Sequence, residues 1–442
     1  MQQVGFFNQF MNDEVNLNSE RINILNKKRA TIQTFVQNSD SFKDMYIDMF
    51  SQGSYKHKTI IKPPKVNKEF DADILLHLEP LDDWELNPKM YIYELYNIFK
   101  DTDRYKDIVI KNTRCITLNY VGDFHIDIVP IVKRNGDFYI INKCDNIFEK
   151  TNPIEYTNWL ISKNKDSNYQ LRKVIRLFKY IRDIKQTFTA KSILLNTILA
   201  NQVYQNDLAE KHKNLPTSFK LIINRLNDFL QANDIMPNIH NPTMIKENFM
   251  RNWTQEQYSN FRKMILSYTE KTNDAYDEID KKKSIKKWKL VFGDKFPEFT
   301  RSTKLEVTNE NYTEREEFPE DKFQDILLDY DLEINFTIDQ PNAAVSSFYN
   351  QFNLLQLKVK LIFKVEKTNV PKPYEIWWKV KNEGQMAKKA NDLRGEIKKG
   401  HMRKEETTRY IGKHYVECYI VKNNICIAMD RIDVPVDIEK DL

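Results

Sequence analysis

The chain has 442 residues, room for two or three domains, with 30% charged and 41% hydrophobic residues and a net charge of +5 at pH 7. This is the composition of an ordinary soluble globular protein, and the mild positive charge suits polyanionic substrates such as nucleotides without demanding a nucleic-acid partner. The four cysteines (115, 144, 418, 426) show no C-x-x-C spacing, so neither a zinc site nor a disulfide framework is implied. No apolar run approaches membrane-spanning length and no basic-then-apolar leader is seen, so a cytoplasmic protein without membrane partners is expected.

Residues 1–50 read as helical. Phe6, Phe7, Phe10 and Met11 space as one apolar face. A second helix is expected from about 18 to 38, capped by Ser19 with Asn16 or Asn18 and buried through Ile22, Ile24, Leu25, Ile32, Phe35 and Val36. A turn follows at Gly53–Ser54. Glycine takes positive φ and lets a phosphate approach the backbone, and the serine adds a hydroxyl donor. The basic stretch up to Pro63–Pro64 and beyond reads as a loop. Its Lys56, Lys58, Lys62 and Lys65 either face incoming phosphates or lie on a solvated surface.

Phe70–Leu78 reads as a strand, which puts Asp71 and Asp73 on one face. Neighbouring carboxylates repel unless a cation lies between them, and magnesium is held by one or two carboxylates together with substrate phosphates. Tyr91–Phe99 then reads as an amphipathic helix, and Ile108–Leu118 and Phe124–Val132 as strands. In the second of these, Ile126, Ile128 and Pro130 share one face while His125 and Asp127 share the other. An aspartate in so apolar a strand is expensive unless paired or metal-bound, so Asp127 is a candidate third carboxylate. Two metal ions bridged by three carboxylates can activate a sugar hydroxyl and stabilise a leaving pyrophosphate. Phe138–Ile141 adds a short strand after Asn135–Gly136, a favoured hairpin turn.

From about 151 to 295 the pattern is helical, with helices expected at 170–184, 191–204, 219–231 and 254–281. Residues 296–320 are polar and aperiodic, as in a linker. The remainder is richer in strands: 332–338, 354–366, 374–380 with Trp377 and Trp378, and a hairpin at 415–430, around a basic helix-like stretch at 387–399.

The three-part pattern QGSY…DADILL…FHIDIVP, in that order, resembles the polymerase-β-type nucleotidyltransferases and, among them, the CD-NTases, bacterial relatives of cGAS and of 2′-5′ oligoadenylate synthetase. The resemblance implies an α+β fold. A polymerase-β-like mixed-sheet core (residues 1–160) is followed by a helical lobe closing the nucleotide cleft (161–300), a linker (301–320) and a β-rich module (321–442). It implies that Gly53 and Ser54 grip the triphosphate and that Asp71, Asp73 and Asp127 hold Mg²⁺ or Mn²⁺. The segment LRKVIRLFKYIRD resembles the family stretch whose lysine contacts the triphosphate, which makes Lys179 the candidate and Ser192 of the following KSILL a second. On residues alone, Lys179 also reads as a surface lysine and Ser192 as a helix cap.

Residues 350–438 are similar to the adenylyl/guanylyl cyclase and SMODS C-terminal sensor domain through Trp378, Asn382, Gly384, Arg394–Gly395, Thr407, Tyr410, Gly412, His414 and Glu417. Arg394, Arg403 and His414 are candidates for binding an anion, and Trp378 for stacking on a base. The same residues also read as an Arg-Gly turn, a paired histidine and a core tryptophan. The resemblance implies a metal-dependent synthase of a cyclic or linear oligonucleotide messenger. Its substrates would be nucleoside triphosphates (ATP, GTP or both), its setting anti-phage signalling, with a downstream effector reading the product and an unknown cue setting activity. The alternative keeps the fold but transfers nucleotides to RNA ends or to a protein; the sensor module argues against it.

Overall fold

The apolar runs at 74–76 and 124–132 pair with each other and form the centre of a seven-stranded sheet. The computed structural model describes residues 3–17, 19–63, 70–120, 124–207, 209–298, 317, 319–323, 325–326, 330–339, 354–382, 384–390 and 392–436. It divides into two compact units, Met1–Lys304 and Leu305–Leu442. The fold is α+β.

In the first unit the strands are β1 (Tyr46–Gln52), β2 (Phe70–Leu78), β3 (Val109–Lys111), β4 (Ile116–Tyr120), β5 (Phe124–Arg134), β6 (Asp137–Asn142) and β7 (Ile147–Thr151). Their order is β1-β2-β5-β4-β3, with β6 beside β5 and β7 beside β6. β2 and β5 run parallel and every other pairing in this sheet is antiparallel. Because side chains alternate along a strand, Ala72, Ile74, Leu76 and Leu78 share a core face with Ile126 and Ile128. Helices α1 (Val4–Phe10), α2 (Ser19–Gln37), α3 (Gly53–Lys56) and α4 (Met90–Lys100) precede or interrupt the sheet. Leu25, Ile32 and Val36 of α2 and Tyr91, Ile92, Leu95 and Phe99 of α4 complete that core.

Helices α5 (Pro153–Asp166), α6 (Leu171–Lys185), α7 (Ser192–Ala200), α8 (Leu215–Gln231), α9 (Gln255–Asp277) and α10 (Lys281–Phe292) follow, with a two-stranded hairpin, β8 (His240–Asn241) and β9 (Met244–Asn248), between α8 and α9. α5 runs unbroken across position 160. The N-terminal helix docks onto these helices. Phe7 is fully buried, with ring centroids 4.8 Å from Trp288 and 5.4 Å from both Phe292 and Phe296, all edge-on. Phe10 stands 5.0 Å from Tyr180 of α6. Among the described residues no helix is long and apolar enough to cross a membrane.

The second unit is a pair of sheets. One has the order β10 (Asp325–Ile326), β17 (Ile425–Val436), β16 (Gly412–Lys422), β13 (Glu375–Lys381), β14 (Arg394–Gly400). The other has the order β11 (Leu332–Ile338), β12 (Lys360–Thr368), β15 (Arg403–Thr407). Ile334, Leu361 and Phe363 from the smaller sheet and Val380, Val416, Ile420 and Val434 from the larger one form a shared core.

Four sequence expectations change. The residues before Gly53 are the strand β1, not helix, because they pair antiparallel along β2 from Tyr46–Leu78 to Gln52–Asp73. The strand expected over 108–118 is two strands folded on each other, Val109 opposite Leu118. The helix expected over 254–281 ends at Asp277, and Asp280 starts α10 by accepting the Lys283 N–H at 2.8 Å. The helix-like stretch at 387–399 is helical only over Gln385–Ala390, and Arg394–Gly400 is a strand because β13 supplies its ladder. Ser19 and Ile22 lie on α2, but their side chains fall outside the described residues, as do Lys65 and the 121–123 turn.

Phe7→Ala is expected to destabilise the protein by about 3–5 kcal/mol through a cavity among the side chains of Trp288, Phe292 and Phe296. Denaturant unfolding of full-length protein measures this, and a change below about 1 kcal/mol would contradict the packing described.

Candidate active site

Pairing register builds the site. In the parallel β2–β5 ladder Asp73 lies opposite Asp127 and Asp71 opposite His125. In the antiparallel β4–β5 ladder Thr117 lies opposite Asp127. Residues in register on neighbouring strands share a face, so Asp73, Asp127 and Thr117 form one row across three strands, on the face away from α2 and α4.

The row is electrostatically strained. Burial, then the neighbouring Asp127 and Asp71, push the Asp73 carboxyl up to about 6. Burial also raises Asp127, opposed by a hydrogen bond from Thr117. Thr117 Oγ1 donates to Asp127 Oδ1, and Asn112 Nδ2 donates to Thr117 Oγ1 at 2.6 Å. Asp71 is exposed and its Oδ1 meets His125 Nε2. Among the described residues no three His, Cys, Asp or Glu side chains already converge on one point. The aspartates are arrayed along two strands instead, with Asp71 turned to His125. An all-oxygen donor set in which Asp127 and Asp71 raise the proton affinity of Asp73, and Asp71 that of Asp127, fits a hard divalent cation, which would relieve that repulsion.

Gly53 closes this row from the β1 side. It begins α3 with φ +64°, and a Cβ there would lie 1.9 Å from Asp73 Oδ2. Only glycine combines that backbone angle with that contact. The turn is stapled by His57 N–H to Gly53 O at 2.9 Å and by Thr59 and Ile60 N–H to Ser54 O at 3.0 and 3.1 Å. The Gly-Ser pair is thus the first turn of a short helix leaving the sheet edge beside Asp73.

Lys179 is buried, not a surface lysine. Its Nζ donates to Thr59 O at 2.9 Å and Thr59 Oγ1 at 3.1 Å. Burial, chiefly, lowers its ammonium to about 7, with Arg182 adding to the fall and Asp183 and Asp73 opposing it. α6 thereby reaches the segment that follows the Gly-Ser turn. Ser192 opens α7 and accepts Arg182 Nη1 at 3.4 Å, while Arg182 also pairs with Asp183 at 2.8 Å. Lys62 Nζ donates to Asp13 O at 3.0 Å, and Lys58 lies over the Tyr55 ring.

Sequence reasoning missed Thr117, Asn112 and Thr59. Nothing local marks them: each gains its role from a strand register or a helix 120 residues away. In the second unit Trp378 is a core residue whose Nε1 donates to His401 O at 2.8 Å. Arg403 is exposed on β15, and Arg394 is bound by Glu406 at 2.5 and 3.0 Å. His414 is buried, with Nε2 donating to Tyr410 O at 2.7 Å.

Residues 1–164 match the Second Messenger Oligonucleotide or Dinucleotide Synthetase domain, and residues 313–437 match the Adenylyl/Guanylyl and SMODS C-terminal sensor domain. A cyclic AMP-AMP-AMP synthase from Acinetobacter is 22% identical over 288 residues, covering 62% of this chain and 80% of that protein. A c-di-GMP synthase from Roseivirga ehrenbergii is 24% identical over 306 residues, covering 61% and 78%. The solved structure of E. coli MS115-1 CdnC with ATP superposes with a TM-score of 0.54 at 20% identity, covering 66% of this chain and 98% of that one.

The turn also carries a pH signature. Thr157 Oγ1 donates to Pro153 O, so the buried His57 must donate through Nε2 to Thr157 Oγ1, at 3.2 Å. Burial, then Lys179 and Arg172, hold its imidazole neutral and lower it from 6.5 to about 3. The unfolded chain therefore takes up a proton that the folded one refuses between those values, and stability falls as pH drops from 6.5 toward 3. Urea unfolding across that range should show this component in the native protein and lose it in His57→Gln. Identical pH slopes in the two would refute the assignment.

Proposed function

We propose that this chain, which belongs to the CD-NTase family of nucleotidyltransferases, joins nucleoside triphosphates into a cyclic oligonucleotide. The observation that carries this is the placement of Asp73 opposite Asp127 on adjacent parallel strands, with Gly53 packed against the Asp73 carboxylate. The hydroxyl of one nucleotide attacks the α-phosphate of a second, and pyrophosphate leaves.

Each residue has a distinct task. Gly53 and Ser54 bring unobstructed backbone beside the carboxylates, where a triphosphate tail lies. Asp127, its second proton acceptor site shaped by Thr117, stands ready to take the proton of the attacking hydroxyl; burial raises its basicity for that step. Asp71 and Asp73 supply the oxygens that, with Asp127, hold Mg²⁺ or Mn²⁺; the ion supplies charge neutralisation of the phosphates when bound. Asp71, which meets His125, would be exchanged onto the ion when it is bound. Lys179 fixes the Thr59 segment and contributes positive charge near the phosphates, and Ser192 with Arg182 lines the same side of the helical lobe.

The names of the relatives, cyclic AMP-AMP-AMP synthase and c-di-GMP synthase, support a purine triphosphate substrate, ATP or GTP. The product serves as a cytoplasmic messenger in anti-phage signalling, read by an effector protein, with the C-terminal unit answering the cue that sets the rate. Transfer to RNA ends or to a protein is the lesser reading, since both domain matches belong to second-messenger synthetases.

Purified full-length protein incubated with radiolabelled NTPs and Mg²⁺ or Mn²⁺ is expected to yield a phosphatase-resistant product, lost on adding EDTA and regained with excess metal. Asp71→Asn with Asp73→Asn should reduce product by at least about a hundredfold, since even outer-sphere changes at metal sites cost about 10–100-fold. Gly53→Ala should fail similarly by displacing Asp73. Product formation by the double variant at the native rate would sink the site assignment.

A further inference from the structure

One end of the C-terminal sandwich is open. A cavity of about 340 Å³ lies there between the two sheets, within the size range of small-molecule sites. One wall is built by Val380, Val416, Val434 and Val436 of the five-stranded sheet, and the facing wall by Leu361 and Phe363 of the three-stranded sheet. These residues belong to strand ends that meet at the same end of the sandwich. All six are at most 7% exposed and belong to the core that the two sheets share, so they form the apolar floor of the cavity and the polar residues form its mouth.

The rim is polar but balanced. Two cations, Arg394 and Arg409, accompany two carboxylates, Asp392 and Glu406. Arg394 and Glu406 are paired bidentately across the edges of the two sheets, β14 to β15. Tyr410 OH donates to Asp392 at 3.0 Å. Glu406 also takes Lys404 at 3.1 Å, so Arg394 is held in a charge cluster of its own and is not free to grip a phosphate chain. Asn382 also reaches the cavity. One of its amide N–H groups is used on Asp392 O at 2.7 Å, and the amide group retains further donor and acceptor capacity for an edge that presents both.

We propose that this slot is a binding site for an uncharged nitrogen heterocycle of nucleobase or nucleoside size. The ring lies over the apolar floor of the cavity, and its edge is read by Asn382 and the Asp392 side of the rim. Apolar walls with a few convergent polar groups are the usual form of such a site, and the compensated rim selects against polyanions. The ligand sits beside the Arg394–Glu406 clasp that joins the two sheets, so occupancy bears directly on how those sheets are held together. The inference concerns the C-terminal unit alone and is read out by binding, so it stands or falls separately from the synthase activity.

Isothermal titration calorimetry on the full-length protein with adenosine, guanosine, cytidine, uridine and inorganic phosphate tests it. At least one nucleoside is expected to bind with Kd at or below about 1 mM, and phosphate is not. Thr407→Trp, at an exposed position lining the mouth, should weaken that binding about tenfold or more, a change of about 1.4 kcal/mol, with unchanged thermal unfolding, and Asn382→Leu should weaken it at least as much. Hydrogen–deuterium exchange with the bound nucleoside should protect amides around 380–382, 405–409 and 414–416 in the native protein, which locates the site without any variant. Absence of nucleoside binding would overturn the proposal. So would preferential phosphate binding, or protection confined to the first unit.

Discussion

The molecule is organised around a like-charge pair that the sheet itself enforces. Parallel pairing of β2 with β5 sets Asp73 directly opposite Asp127, at the strand spacing of about 4.8 Å and partly out of water. Both Cα positions are fixed by strands whose opposite faces are core. Burial raises the proton affinity of both groups, and the neighbouring carboxylates add to it, Asp127 and Asp71 at Asp73 and Asp71 at Asp127. The neighbouring elements accommodate it. β4 brings Thr117 and, behind it, Asn112, to satisfy one oxygen of Asp127; β1 ends opposite Asp73; and the residue after β1 lacks a side chain where one would strike that carboxylate. The catalytic capacity proposed for the chain and the strain in its sheet are thus the same physical fact.

A second constraint links the helical lobe to the sheet. Lys179 is buried on α6, yet its ammonium group is spent on the carbonyl and hydroxyl of Thr59, just past the Gly-Ser turn. A buried ammonium held by a neutral carbonyl and hydroxyl is poorly neutralised, as its lowered proton affinity records. Any anion reaching the turn meets a cation whose position is set by a helix and whose partner is backbone. That arrangement ties the lobe to the turn through a charged stripe of α6, where Arg172, Arg176, Arg182 and Asp183 share the face of Lys179.

Legibility in the sequence followed the range of the interaction. The D-x-D and the h-x-D-h strand were readable because alternation has a period of two and an aspartate inside it is conspicuous; their order identified the family. Which strand would lie beside which was not readable, so Thr117 stayed hidden although it completes the row. β1 was mistaken for helix because YIDMFSQ carries too little alternation, and only its ladder with β2 settles its form. β14 was mistaken for helix because RGEIKKG is rich in helix-favouring charge, and pairing with β13 overrides that weak local preference. Of the four residues singled out in the C-terminal unit, Arg394 and His414 line the cavity and Trp378 belongs to the core. A tryptophan flanked by Ile376 and Val380 on its own strand face carries no mark that tells the two uses apart.

The docking of α1 on α10 has a consequence for biosynthesis. Phe7 leaves the ribosome some 280 residues ahead of Trp288, Phe292 and Phe296, which cover it. At about 5–20 residues per second this is a wait of roughly fifteen seconds to a minute with an aromatic helix face uncovered. The sheet, whose pairings all fall within residues 46–151, can assemble during that interval. The first unit therefore closes last at its own beginning, and the nascent chain is exposed to chaperones and to self-association through the very helix that finally seals it.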